Sequence, residues 1–163
     1  MRLQSVDRFL LGIVGGTVVL ATIAVVIVFT RPAPEYRAGN GPEDVVFNYI
    51  LAVQRGDYDR AYGYLAPTLP GYPLSAQEMR EQLRRFGVSD SDTSYAIINT
   101  EINGNRATVT VQETNVYRGG LLGSSQSSNN FTMELEQTAA GWQLTSSSGW
   151  RIWMWCWEQK EGC

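Results

Sequence analysis

The 163-residue sequence predicts an α+β protein: one N-terminal transmembrane helix, then a domain of three helices and a curved antiparallel sheet. Three observations carry this. Residues 9–29 hold no charged side chain. Between residues 42 and 87, apolar side chains recur at helical spacing. After Ser89 the period drops to two, and turn residues separate short β-rich runs.

The first run reads FLLGIVGGTVVLATIAVVIVF. At 1.5 Å per residue it spans about 31 Å, which matches a hydrocarbon core of about 30 Å. A lone segment in lipid must satisfy its own backbone groups, so it is helical. Residues 1–30 are therefore assigned as a tail and a single-pass membrane anchor. A cleaved secretory signal would have a shorter apolar region and a small-residue site after it. Here Thr30-Arg31-Pro32-Ala33-Pro34 follows instead. Arg2 and Arg8 precede the run, and Arg31 and Arg37 follow it, so counting basic residues does not orient the helix. A short basic tail before an anchor favours a cytoplasmic N-terminus. The rest of the chain is then extracytoplasmic, periplasmic or extracellular. Gly12, Gly15 and Gly16 form a small-residue patch where a second membrane helix would approach closely.

Residues 31–41 (RPAPEYRAGNG) read as a linker, and residues 42–163 as the α+β domain. Pro42-Glu43-Asp44 has the composition of a helix first turn. Val45, Val46, Tyr49, Ile50 and Val53 follow as one apolar stripe, and Gly56 ends it. Asp57 caps a short second helix whose inner face is Tyr58, Ala61, Tyr62 and Leu65. Pro67 and Pro70 stop it. Ser75-Ala76-Gln77-Glu78 is a capping box for a third helix. Met79, Leu83 and Phe86 make its stripe, and Gly87 closes it.

Thr93–Ile102 predicts the first strand, and Asn103-Gly104 the two-residue hairpin turn after it. Ala107, Val109 and Val111 alternate with Thr108, Thr110 and Gln112 in the second strand. Residues 118–130 (RGGLLGSSQSSNN) read as a long flexible loop. Phe131, Met133 and Leu135 mark the next strand, and Ala139-Ala140-Gly141 turns the chain into Trp142-Gln143-Leu144. Residues 150–157 read as a last strand. Trp153, Trp155 and Trp157 lie on one face of it and Ile152, Met154 and Cys156 on the other.

Gly56-Asp57-Tyr58-Asp59-Arg60-Ala61-Tyr62, between an amphipathic helix and a short second one, resembles the start of the nuclear transport factor two-like (cystatin-like cone) superfamily. Gly141-Trp142-Gln143-Leu144 is similar to its terminal strand, and the resemblance covers roughly residues 42–157. It implies helices packed on one face of a curved sheet. The fold hosts isomerases, dehydratases, ligand binders and inert interaction modules, so it does not fix a function.

Composition narrows the classes. Formal net charge is −3, and the chain has a single lysine, Lys160, and no histidine. Nucleic acid binding needs clustered Lys and Arg, so that class is excluded. Without histidine the usual general base, metal ligand and haem ligand are missing. No cofactor or metal is expected. The candidate pocket residues are Glu113, Asn115 and Tyr117, which share a strand face with Val109 and Val111. Facing inward, Glu113 is either a desolvated general base or a structural carboxylate, solvated or paired with an arginine. The structural reading is preferred, and Asp57 and Asp59 read as a cap and a surface acid. Cys156 and Cys163 leave two readings. One is a disulfide closing the tail of an extracytoplasmic domain. The other, slightly preferred, is a buried free Cys156 with an exposed Cys163.

One small domain has a single inside face for the last strand, so Trp150, Trp153, Trp155 and Trp157 read as a partner interface, where tryptophan is enriched. Core packing of that second face against the third helix is the competing reading. The functional expectation is a non-catalytic accessory or scaffold subunit of a membrane protein complex. Other membrane subunits and the lipid bilayer are its partners. The alternative is a membrane-tethered cone domain that binds or converts a small ligand.

Overall fold

The structure, a computed structural model, describes residues 3–30, 33–85, 93–119 and 123–163. The chain divides at Glu35/Tyr36 into two compact units.

The first unit is helix α1, Leu3–Thr30. Its threonines bond back within the helix: Thr17 Oγ1 donates to Ile13 O and Thr22 Oγ1 to Val18 O. Among the described residues, no helix is long and apolar enough to cross a membrane. The expected single-pass anchor is corrected accordingly, and with it the membrane localisation and the extracytoplasmic placement that depended on it. Gly12, Gly15 and Gly16 are exposed, and a Cβ added to any of them would meet nothing within 4 Å.

The second unit is α+β: three helices and a four-stranded antiparallel sheet in the order β1-β2-β3-β4. Helix α2 is Pro42–Arg55, with Pro42 in its first turn and Gly56 as its left-handed C-cap at φ 71°. Helix α3 is Tyr58–Gly63, and Asp57 caps it by accepting from Arg60 N. Helix α4 is Ala76–Arg85, opened by Glu78 N donating to Ser75 Oγ at 3.2 Å. Phe86 and Gly87, expected to finish that helix, lie outside the described residues. Ahead of α2 the chain is pinned by Asn48. Its Oδ1 accepts from Arg37 N at 2.7 Å, and its Nδ2 donates to Arg37 O at 2.9 Å.

The strands are β1 Thr93–Asn103, β2 Arg106–Gly119, β3 Gly123–Thr138 and β4 Gly141–Ser147. The first hairpin differs by one residue from expectation. Asn103 pairs with Arg106, so the turn is Gly104-Asn105, with Gly104 alone at positive φ (63°). Glycine first with an ordinary second residue is the type II′ arrangement. The expected loop at 118–130 is corrected more sharply. β3 begins at Gly123 and pairs along β2 from Gly119↔Gly123 to Arg106↔Glu136. Serine and asparagine have low strand propensity, but cross-strand pairing overrides it.

The inner sheet face carries Ala107, Val109, Val111, Phe131, Met133, Leu135 and Leu144, all buried. It meets the α2 stripe of Val46, Tyr49, Ile50 and Val53, with Met79 and Leu83 from α4. Residues 150–157 are not a strand. The chain turns at Gly149, with Ile152 N donating to Gly149 O, and ends in a 3-10 turn at Trp155–Glu158. Ile152, Trp153, Met154, Cys156 and Trp157 are all at most 3 % exposed and complete the core.

Candidate functional site

Strand alternation puts Glu113 and Asn115 on the inner face of β2, 6 % and 7 % exposed. Asn115 Nδ2 donates to Glu113 Oε1 at 2.8 Å. Arg151 Nε lies 2.9 Å from the same oxygen. Thr93 Oγ1 donates to Asn115 Oδ1 at 2.7 Å. One polar chain therefore joins β1, β2 and the C-terminal segment. Arg151 is also placed by its neighbour, with its guanidinium 4.5 Å from the Trp150 ring centre. An ion pair between a buried carboxylate and a partly buried guanidinium, satisfied in this way, fixes a geometry and adds little net stability. Tyr117, the third candidate, is not brought to this cluster. It lies farther along β2 and is 54 % exposed.

The interior beside Glu113 is filled by the chain's own C-terminal segment. Trp153 meets Tyr49 edge-on at 6.3 Å between ring centres, and Trp157 at 5.0 Å. Each buried indole N–H has a partner: Trp153 Nε1 donates to Glu158 Oε1 and Trp157 Nε1 to Gln82 Oε1, both at 2.7 Å. Tyr49 donates its hydroxyl to Ile152 O, and burial pushes that phenol well above its ordinary range. Cys156 and Cys163 form a disulfide that ties the tail to the turn.

The four candidate interface tryptophans are thus split. Trp153 and Trp157 are 2 % and 0 % exposed, while Trp150 and Trp155 are 63 % and 62 % exposed. The shared Trp153/Trp155/Trp157 face is corrected for a physical reason. A 3-10 turn advances about 120° per residue, so side chains two apart no longer align. Trp155 borders a groove of about 300 Å³ between α4 and the tail, with Met154, Cys156, Glu78, Glu81 and Gln82 among its lining. Among the described residues, no group of His, Cys, Asp and Glu could hold a metal ion.

Two residues that organise this region, Arg151 and Gln82, were not singled out from the sequence. Arg151 had one signal: it is a lone base inside an apolar run. Gln82 had none, since its partner is 75 residues away.

No protein-family model matches the sequence, and no curated protein matches it. Some solved structures resemble it at low identity. One is an NTF-2 like protein of unknown function from Shewanella oneidensis MR-1, at 13% identity and TM-score 0.45, covering 64% of this chain and 92% of that one. Another is a protein of unknown function with a cystatin-like fold from Nostoc punctiforme PCC 73102, at 15% identity and TM-score 0.46, covering 64% and 84%. A third is a SEC-C motif containing protein from Rhodopseudomonas palustris, at 17% identity and TM-score 0.48, covering 69% and 80%. These neighbours include NTF2-like and cystatin-like domains, and likeness at this level says nothing of activity.

Proposed function

We propose that the chain is a non-catalytic docking subunit that binds another protein through the face around Trp155. The observation that carries this is the exposure of Trp155 between two tryptophans that are core. The turn that presents it is braced by the Cys156–Cys163 disulfide and by buried neighbours on both sides. A large amphipathic ring held before binding loses little entropy on docking, which is how interface hot spots gain affinity. Glu113 fits the same reading, because Asn115 and Arg151 already engage it. The test compares Trp155→Ala with Glu113→Gln in affinity isolation from the native host. Trp155→Ala should fold normally and lose the bound protein, while Glu113→Gln keeps it at temperatures where it is folded. A folded Glu113→Gln protein that keeps its partner but loses its biological role would instead indicate chemistry at Glu113.

A further inference from the structure

We infer that the free edge of β3 at Gln126–Asn130 pairs with the same segment of a second copy, joining two sheets into one. β4 pairs with β3 only as far as Met133↔Ser147, after which Ser148 N donates to Thr132 O at 3.0 Å. Beyond Thr132, no other segment among the described residues pairs with that side of β3. The ladder with β2 continues to Gly119↔Gly123, and past Asn115↔Ser127 the hairpin is two strands wide.

The direction of the backbone groups follows from Thr132. Its C=O faces the β4 side, and so does its N–H, which donates to Ser148 Oγ at 3.0 Å. Hydrogen bonding alternates along an antiparallel strand, so Asn130, Ser128 and Gln126 also aim N–H and C=O at the open side. Natural sheets blunt such edges with charge, proline, bulges or cover. The other edges here are managed. β1 carries a bulge between Ile97 and Asn99 and a charge at Glu101. β4 is covered by the Leu65↔Leu144 bridge, with Leu144 N donating to Tyr64 O and Ala66 N to Leu144 O. Among the described residues the β3 edge at 126–130 has none of these: it reads Gln-Ser-Ser-Asn-Asn, with no charge and no proline.

The occupant is a second copy because the segment complements itself. In a two-fold antiparallel pair centred on Ser128, Ser128 faces its own copy and Gln126 faces Asn130. Ser127 faces Asn129. No like charges meet, which is what a self-pairing edge requires on a chain of net charge −3. This contact is separate from the Trp155 face.

Sedimentation of the full chain should show a concentration-dependent dimer. Ser128→Pro removes an N–H that faces away from β2, so the hairpin should survive while dimer affinity falls about tenfold or more. Ser128→Lys and Ser128→Glu keep the backbone and place like charges opposite each other. Each should weaken the dimer about fivefold, and mixing the two should restore it as a heterodimer. Under mild oxidation Ser128→Cys should cross-link between copies, and Ser94→Cys on β1 should not. A monomeric wild type overturns the inference. So does a dimer indifferent to the Ser128 changes, or cross-linking equal at both positions.

Discussion

Replacing Trp157 with alanine is the sharpest check on how the domain is built. Trp157 is 0 % exposed, packs edge-on against Trp153, and donates its indole N–H to Gln82 Oε1 at 2.7 Å. Large-to-small changes at such a site cost about 3–5 kcal/mol, through lost transfer energy and the cavity left behind. The orphaned Gln82 oxygen, only partly buried, adds about 1 kcal/mol. The unit from Tyr36 to Cys163 has a total stability of roughly 6–19 kcal/mol at typical values per residue. Trp157→Ala should therefore remove about a fifth or more of it and lower Tm by about 15–22 °C. Trp155→Ala, at 62 % exposure, should stay within about 0.5 kcal/mol of wild type. Calorimetry of the two variants beside wild type, with near-UV circular dichroism on the tryptophan bands, measures both. Equal losses at the two positions, or a Trp157→Ala protein as stable as wild type, would refute the assignment of core and surface.

Cys163→Ser opens a loop with sequence separation 7, which the chain-entropy relation values at about 2.5 kcal/mol. Urea unfolding should show that loss in wild type under a dithiol reductant and no further effect of the reductant on the variant. Glu113→Gln leaves the partly buried Arg151 without its counter-charge and should cost about 2 kcal/mol. A cycle with Arg151→Met should return a coupling of at least about 1.5 kcal/mol, and additive effects would mean the pair is not formed. The phenol of Tyr49 is raised by burial, first, and by Tyr58. A raised phenol holds its proton more tightly when folded, so its stabilisation is intact below pH about 10 and is lost as pH climbs through the folded value. Thermal melts across that range should fall steeply for wild type and less steeply for Tyr49→Phe.

What could be read from the sequence follows the range over which each feature is determined. Gly56, Asp57, Ser75 and Glu78 act within one helical turn, and their roles follow from residue type. The alternation along β2 places Glu113 on the inner face, where the structure has it. Its partner Arg151 is 38 residues farther on, and local periodicity carries no trace of that pairing. The same holds for residues 150–157. Alternating large side chains mimic a strand, but the contacts that bend them into a turn come from Gln82, Gly149 and the disulfide. The stretch from Gly123 to Asn130 errs the other way. Its composition suggests a loop, and only the register with β2 makes it a strand. For α1, the hydropathy of residues 9–29 argues for an anchor, while no helix among the described residues meets the length and apolarity required.

The position of Trp153 and Trp157 also sets the order in which this domain forms during synthesis. Tyr49 bonds to a residue 103 positions later, and Gln82 to one 75 positions later. Until residues 152–157 leave the ribosome, the helices and the nascent sheet have no lid for their apolar faces. Domains that wait on such distant contacts fold slowly and spend time with sticky surface exposed. A chain cut short before Ile152 is therefore a substrate for chaperones and proteases, even with every helix and strand present.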